Sequence, residues 1–347
     1  MKRFVLGFAI LLLGFSTMTY CQIVRATGMG EAGIALTEGG NAYYNPAQIA
    51  FPTNDYKYYI QCSPGKIKFS KSYYGTNKIG YCGIFARINT DEVTSKLPVN
   101  IYAGYYRLGT YSRVERMTFD GPYSSLEIRK ASTQYNAFVM GFSKSEKVDI
   151  SGAYEISFRE SKSGDSYNSE TRLNYSFLIG FPFENIYHKN LKKGEKVFNI
   201  YLAVAHAWRN YWTIGSDVEK LAGASVKFSF DSFGKYGQIS FISLLPAIEF
   251  PIDGGTTKVG LELGLAEALY LRIGRIGIKG QYFSSTIGLT LSSRGFARAI
   301  FDPDNSNTGV KRFLTQSMGL EFEFARKQNH PGSWSSKTLY GLNLVVY

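Results

Sequence analysis

The sequence predicts an all-β protein, a closed antiparallel transmembrane β-barrel with a short plug segment before its first strand. Three observations predict this fold. Apolar and polar residues alternate along most of the chain beyond residue 55, and aromatic residues make up 16% of the 347 residues. No later stretch reaches the roughly 18 consecutive apolar residues of a transmembrane helix. Alternation is typical of strands, aromatic residues favour sheets, and a chain without apolar helices can cross a bilayer only as a closed barrel.

The first residues have the layout of a secretory signal peptide. A basic start precedes an apolar run from Phe4 to Phe15, which is shorter than the roughly 20 residues that a transmembrane helix needs. We expect cleavage between Cys21 and Gln22, so that residues 1–21 form the signal peptide. Lipidation of Cys21 is the alternative, but bulky Tyr20 stands where that processing needs a small residue.

The chain is basic, with 39 Lys and Arg residues against 27 Asp and Glu residues and a formal net charge of +12. This balance favours anionic partners, such as phosphate-bearing lipids of an outer membrane or an acidic protein surface. Nucleic acid is excluded as a partner because the basic residues are scattered and the chain is exported. We therefore expect a multi-pass protein of the bacterial outer membrane, in contact with its lipids.

The segment at residues 22–54 differs from the rest because it is rich in small residues and lacks alternation. Gly28, Gly30 and Gly33 match the glycine spacing of a dinucleotide site, but no strand and no βαβ unit surround them, so we expect no cofactor. Small residues allow close packing inside a barrel bore. The predicted plug motif consists of Arg25, Gly28, Met29, Gly30, Gly33, Asn45, Pro46 and Ala47, with Asn45 as N-cap of a short turn to Ala50.

The barrel is predicted at residues 55–347, where strands show one apolar and one polar face. One such strand places Leu173, Tyr175, Phe177, Ile179 and Phe181 opposite Asn174, Ser176, Leu178 and Gly180. A soluble sandwich shows alternation too. Here the polar face repeatedly carries Gly, Ser and Glu, for example at Glu262 and Glu323, which together with the signal peptide favours lipid on one side and a lumen on the other.

The strand number stays open at this stage. We find about sixteen candidate strands, some of which could be halves of strands kinked near Leu108 or Gly295. The longer polar segments, predicted as outer loops, are residues 121–125, 160–170, 184–195, 302–309 and 327–337, and the shorter ones are 63–65, 144–146 and 231–235. Short periplasmic turns and longer outer loops are typical of membrane barrels.

The last residues are predicted to form a closing strand that the outer-membrane assembly machinery recognises. This candidate assembly signal consists of Gly341, Leu344, Val346 and the aromatic terminal residue Tyr347. Its spacing of glycine and apolar residues lies one residue early. An earlier strand, ending at Phe324, is an alternative end for the barrel.

No pattern in the chain points to catalysis or metal binding. His188, His206 and His330 lie far apart, and no nucleophile elbow is present. The two mature cysteines, Cys62 and Cys82, are either apolar strand residues or a disulfide pair. We expect no catalytic, cofactor-binding or metal-binding residue and no enzyme.

Several motifs resemble one family of barrels. The run Arg25-Ala26-Thr27-Gly28-Met29-Gly30, then Gly33-x-Ala35 and Asn45-Pro46-Ala47, together with Tyr105-Tyr106-Arg107-Leu108-Gly109, is similar to the FadL-like outer-membrane barrels and most closely to their PorV branch. The resemblance implies a barrel of fourteen strands with an amino-terminal plug. The segment from Ala325 to Tyr347 departs from it, since it looks like an addition beyond the expected last strand.

The resemblance leads to two hypotheses of different kinds. The leading one is a PorV-like component of the type IX secretion system, which binds or shuttles secreted cargo or a partner protein through its outer loops while the plug closes the bore. The alternative is a FadL-like channel for long-chain fatty acids or other hydrophobic molecules. A carrier needs long exposed loops that form an interaction platform over a blocked bore. A channel needs an apolar internal pocket and a lateral opening or kink in a lumen-facing strand. The polar lumen face favours the carrier.

Overall fold

The computed structural model describes residues 23–37, 45–51, 58–68, 74–89, 99–120, 123–145, 147–163, 166–183, 196–209, 219–234, 237–278, 281–300, 318–329 and 336–346. The predicted signal peptide and Tyr347 lie outside these ranges. No helix within them is both long and apolar enough to cross a membrane.

The described residues form three short helices and fourteen strands. The helices are α1 (Ile23–Gly28), α2 (Ala47–Ala50) and α3 (Ser293–Ile300). The strands are β1 (Tyr58–Lys68), β2 (Tyr74–Asn89), β3 (Asn100–Asp120), β4 (Tyr123–Ser145), β5 (Asp149–Ser163), β6 (Ser166–Pro182), β7 (Lys196–Arg209), β8 (Glu219–Gly234), β9 (Gly237–Pro251), β10 (Thr256–Leu265), β11 (Leu269–Ile278), β12 (Gln281–Ser292), β13 (Met318–Asn329) and β14 (Ser336–Val346).

Each strand pairs antiparallel with its neighbours in sequence, and β1 also pairs with β14, so the strand order closes into a barrel. The prediction of an all-β antiparallel sheet is confirmed. We call the end where β1 begins and β14 finishes the terminal end, and the opposite end the far end. Closure gives every described strand two neighbours, which leaves no full-length edge exposed.

Alternation along the strands sorts side chains between the bore and the outside. On β6, Asn174 is 2% exposed and Leu173 next to it is 69% exposed. The same alternation runs along β7, β8, β10 and β13, with Ser, Gly, Asn and Glu turned inward. The outer surface is therefore an apolar belt, and the interior is mostly polar.

On β2 to β6 the outward residues change from apolar to mostly polar between two neighbouring register rows, with Phe158 still apolar in the second row. The last apolar row of register partners is Ile84, Tyr105, Phe138, Ile156 and Leu173. The next outward row toward the far end, which we call the boundary row, is Cys82, Arg107, Asn136, Phe158 and Thr171. Beyond it the outward positions on β5 include the exposed Glu160 and Lys162.

Two hairpins rise past this boundary at the far end. Strands β3 and β4 have 21 and 23 residues, whereas a strand crosses a bilayer with about 9–11 residues. The part of β3 from Leu108 to Asp120 lies beyond the boundary row and spans roughly 40 Å at the usual rise per residue. The β5 and β6 hairpin rises less far. We call these two the raised hairpins.

The raised hairpins correct part of the loop prediction. Residues 123–125, 160–163 and 166–170 are strand, and Ser63-Pro64-Gly65 lies within β1. Residues 160–163 and 166–170 are polar because both faces of the β5 and β6 hairpin meet water beyond the belt. Polarity alone does not separate such a strand from a loop. Strand β6 ends and β7 begins at the terminal end, and the segment 184–195 between them, predicted as an outer loop, lies outside the described residues.

Two other expectations about strand ends change. Leu108 and Gly109 lie within the uninterrupted β3, so no kink divides a strand there. At Gly295 the chain is helical, because β12 ends at Ser292 and α3 follows. The segment after Ala325 contains the end of β13 and all of β14, and β14 is the strand that pairs with β1.

Candidate functional site

The bore of the barrel is occupied by the chain's own amino-terminal residues. We call residues 23–37 and 45–51 the inner segment. Among its described side chains, Ala26, Met29, Ile34 and Phe51 are 0% exposed. Its hydrogen bonds and ion pairs reach inward side chains on seven strands, β5, β6, β8, β9, β10, β12 and β13. The inner segment therefore contacts the wall on most sides.

The segment approaches the wall most closely at a row of glycines. Gly260 and Gly274 are register partners on β10 and β11. A Cβ added at Gly274 would lie 2.0 Å from Gly30 N, and one at Gly260 would lie 2.3 Å from Met29 O. On β12, a Cβ at Gly288 would come within 2.9 Å of Gly28 Cα. Backbone packs directly on backbone here, which no larger residue allows.

We call Gly260, Gly274 and Gly288 the glycine seat. The chain reverses direction where the inner segment packs on these glycines. Gly30 has φ of +68° and Glu31 has φ of 62°, a left-handed conformation that favours glycine. Glu31 is held in it by an ion pair of 3.0 Å with Lys327 on β13. The amide of Gly30 also donates to Thr286 Oγ1 over 2.9 Å.

A buried charge cluster fixes α1 beside the glycine seat. Arg25 donates to both carboxylate oxygens of Glu262, at 3.0 Å and 2.6 Å. Arg272 donates to the same carboxylate and to Thr290, which in turn donates to Glu323 over 3.2 Å. The Glu262 side chain is 3% exposed. Because isolated buried charge is costly, the ion pair of Arg25 with Glu262 favours α1 in this position.

A second carboxylate anchors the middle of the segment. Glu249 Oε2 accepts hydrogen bonds from the amides of Gly33 and Ile34, at 2.9 Å and 3.1 Å. Its other oxygen pairs with Lys258 at 2.6 Å. The two amides belong to an irregular stretch of backbone, so a wall side chain supplies the acceptor that secondary structure does not.

The second part of the segment is held by short polar side chains. Asn45 Oδ1 accepts from the amide of Ala47 over 2.9 Å, which is the bond of an N-cap, while Asn45 Nδ2 donates to Ile34 O. Ser176 Oγ also accepts from the Ala47 amide, and Ser151 donates to Ala47 O. Pro46 lies just before α2 with φ of −53°.

A tyrosine and carboxylate cluster lines the wall on β2 to β6. Tyr81, Tyr106 and Tyr135 stand side by side, with ring centroids 5.3 Å and 5.9 Å apart. Tyr106 and Tyr135 donate to the two oxygens of Glu155, over 2.7 Å and 2.6 Å, and Asn174 donates to the same carboxylate. The bulky rings fill the bore on the side away from the glycine seat.

The structure brings the predicted plug residues into one connected region inside the barrel. Arg25, Gly28, Met29, Gly30 and Gly33 contact β9 to β12. Asn45, Pro46 and Ala47 lie on the β4 to β6 side. Of the candidate assembly signal, Gly341, Leu344 and Val346 lie in β14, opposite Glu323, Leu320 and Met318 of β13.

Sequence reasoning missed the wall residues that receive the segment. These are Ser176, Ser225, Glu249, Gly274, Thr286 and Gly288. Only their position on the inward face could have pointed to them from the sequence. On that face, the consecutive strands β10, β11 and β12 each carry a glycine. Alternation assigns that face, but only the register shows that Gly260 and Gly274 lie side by side.

The histidines and cysteines were the remaining candidates for chemistry, and some of them lie in the described part of the chain. No three His, Cys, Asp or Glu side chains there come together to hold a metal ion. His206 faces outward on β7, with its ring 6.3 Å from that of Tyr175. Cys62 and Cys82 are register partners on β1 and β2. His188 and His330 lie outside the described residues.

Comparisons with known proteins identify similar folds. No protein-family model matches the chain, and no curated protein matches it. Among solved structures, the toluene transporter TbuX of Ralstonia pickettii is similar over 95% of this chain and 99% of its own, with 10% identity and a TM-score of 0.41. The transport unit of the Escherichia coli autotransporter AIDA-I covers 84% of this chain and 90% of its own, with 10% identity and a TM-score of 0.41. At this distance the likenesses assign no function.

Proposed function

We propose that the chain is an integral β-barrel of the bacterial outer membrane that serves as a PorV-like component of the type IX secretion system. In this role it binds or shuttles secreted cargo or a partner protein at its far end. In this role the inner segment keeps the bore closed. The observation that carries the proposal is the combination of a filled bore with hairpins raised far beyond the apolar belt.

The membrane location rests on the outer surface of the barrel. Large apolar side chains such as Phe138, Met140 and Leu173 are more than half exposed on it. A soluble protein rarely exposes a continuous apolar surface of this size. Lipid covers such a belt at no cost, and the inward polar residues are the usual interior of a membrane barrel.

The partner-binding role rests on the far end. The β3 and β4 hairpin continues for the length of a second membrane crossing after the belt has ended. Strands of that length are not needed to hold the barrel together. A protein partner is the class of ligand whose size suits a paired β-surface rising from a membrane.

The channel alternative needs room for an apolar ligand inside the barrel. The gap between Ile49 and Ala50 of α2 and the wall around Phe85, Tyr102 and Gly104 is too narrow to hold even a water molecule. Small-molecule sites usually measure about 300–1,000 Å³. A long acyl chain does not fit this gap without moving α2.

Co-purification tests the proposal. The full-length chain is extracted from its native outer membrane in mild detergent, and the proteins and lipids that accompany it are identified by mass spectrometry. We expect secretion-system proteins or secreted cargo. A matched variant replaces residues 113–130 with an Asn-Gly turn between the register partners Ser112 and Ala131. This change shortens the β3 and β4 hairpin while keeping the barrel. We expect this variant to lose the partners.

The control shortens the neighbouring hairpin in the same way, between the register partners Ser161 and Asn168, and should keep the partners. Recovery of fatty acids without secretion proteins would overturn the carrier role in favour of the channel. Equal recovery of partners by the wild type and the β3 and β4 variant would overturn the assignment of the surface.

A further inference from the structure

A cluster of hydrogen-bond donors faces outward where the belt ends on β3 and β4. Tyr105 donates to Asn136 Oδ1 over 2.8 Å, and Arg107 Nη2 donates to Gln134 Oε1. Both amide oxygens are thus occupied by a neighbouring donor. What the cluster offers outward is the amide hydrogens of Asn136 and Gln134 and the other N–H groups of the exposed Arg107. A positive charge surrounded by N–H donors is a site for an anion.

The level of the cluster restricts which anion can reach it. Arg107 and Asn136 belong to the boundary row, directly above the apolar pair Tyr105 and Phe138. A bilayer whose tails cover the belt up to that pair places its headgroups beside Arg107. The donors therefore stand where a headgroup phosphate is located.

Other strands repeat this arrangement around the barrel. On β11, Arg275 follows the exposed Ile273, and on β13, Arg326 follows the exposed Phe322 and half-buried Phe324 in the outward positions. On β8, Lys220 lies 5.5 Å from the centre of the Trp208 ring. Tryptophan is itself enriched at membrane interfaces. We call Arg107, Lys220, Arg275 and Arg326 the basic collar.

We propose that the basic collar binds the phosphate groups of outer-leaflet lipids, with Arg107, Asn136 and Gln134 forming the best-defined site. This inference rests on the membrane location in the proposed function and is independent of the partner-binding role. The ligand is a lipid with a phosphomonoester on its headgroup, held by charge-assisted hydrogen bonds at the far end.

The nearby acidic groups leave the collar basic. Glu160 is the register partner of Gln134 on β5 and lies one row above Arg107, and the exposed Lys162 follows it on the same face. Asp253 lies in the turn after β9. Glu160 stands one outward row beyond Arg107 and Asp253 lies between β9 and β10, on another part of the barrel, so neither replaces the phosphate as partner of Arg107.

Lipid retention tests the site. The wild-type chain and the variants R107Q and R326Q are purified in detergent and titrated with bis-phosphorylated lipid A, and bound lipid is counted by native mass spectrometry. We expect about a tenfold loss of apparent affinity in R107Q at its site, the size of one charge-assisted hydrogen bond. Dephosphorylated lipid A should bind the wild type as weakly as lipid A binds R107Q.

The matched control is K162Q, which removes one exposed cation from the β5 and β6 hairpin beyond the collar. We expect K162Q to retain lipid A like the wild type. Equal retention of lipid A by R107Q and the wild type would overturn the site. Binding of inorganic phosphate to the wild type as tight as that of lipid A would overturn it too. Fractionation of the same cells tests the membrane location separately. A chain found in the outer membrane whose R107Q variant keeps lipid A refutes the collar alone.

Discussion

The carboxylate of Glu262 lies between two guanidinium groups, one from the inner segment and one from the wall. Replacing it with Gln leaves Arg25 and Arg272 buried without their shared counter-charge. We expect E262Q to lower the free energy of unfolding by about 3–5 kcal/mol, as for other broken buried pairs. Urea unfolding of the barrel in lipid vesicles measures this.

A surface ion pair supplies the comparison for that prediction. Glu170 pairs with Arg172 on β6, in the β5 and β6 hairpin, and the side chain of Glu170 is 39% exposed. E170Q should cost at most about 1 kcal/mol, because water and salt screen the pair. If E262Q costs no more than E170Q, the buried cluster does not hold the inner segment.

The glycine seat gives a second prediction at the residue scale. In G274A the new Cβ would lie 2.0 Å from Gly30 N, so the inner segment must move away from β11. We expect a loss of about 1–3 kcal/mol in stability, typical of overpacking, and faster proteolysis between residues 23 and 37.

The control for G274A is G152A on the outer face. There the new methyl group would meet the ring ends of Phe142 and Phe177, which can turn toward lipid. We expect the stability of G152A to change by less than about 0.5 kcal/mol. Equal sensitivity of the two variants would mean that close backbone packing at the seat is unimportant.

Single residues were only partly predictable from the sequence. Arg25, Gly28 and Gly30 stood out because they interrupt alternation in an otherwise regular chain. Glu249 and Gly274 did not, since each looks like an ordinary inward residue of its strand. Their role comes from facing a segment more than 200 positions earlier in the chain, and no local pattern carries that information.

At the scale of elements, period-two alternation predicted the strands inside the belt well, because lipid and lumen impose opposite polarity on successive residues. It failed for the β5 and β6 hairpin, where both faces meet the same solvent. Residues 160–163 and 166–170 are polar and still form paired strands. The helix α3 was missed because its eight residues follow directly on the alternation of β12.

The direction in which the raised hairpins point can be tested by labelling. Lys162 is exposed near the tip of β5, and Lys144 is exposed at the terminal end of β4. In a background with Cys62 and Cys82 replaced by Ser, we expect a membrane-impermeant maleimide to label K162C on intact cells and K144C only after lysis. The reason is that the far end faces outward when the turn between β4 and β5 is periplasmic.

A shared control for this experiment is the background variant without any cysteine, which should not be labelled. Labelling of K144C and protection of K162C on intact cells would reverse the orientation. The raised hairpins would then face the periplasm, and neither outer partners nor outer-leaflet phosphates would meet them.

At the scale of the whole molecule, strand number and bore filling depend on each other. Barrels of about eight strands fill their interior with side chains alone, whereas those of 16–18 leave an aqueous channel. A closed barrel of fourteen strands has an interior too wide for its own side chains. The inner segment and the tyrosine cluster occupy that space, which explains why backbone and bulky rings both appear in the bore.

Conductance across a planar bilayer tests this account. Because the inner segment is tied to seven strands, we expect the wild type to show no steady current, and a variant lacking residues 23–51 to open in discrete steps. A second variant, R25A/E31A, removes the ion pairs to β10 and β13 and should open briefly, which keeps the test valid if the deletion does not fold. Heat-modifiable migration in gels reports folding. A steadily open wild type, or a folded deletion variant without current, would show that the inner segment does not seal the barrel.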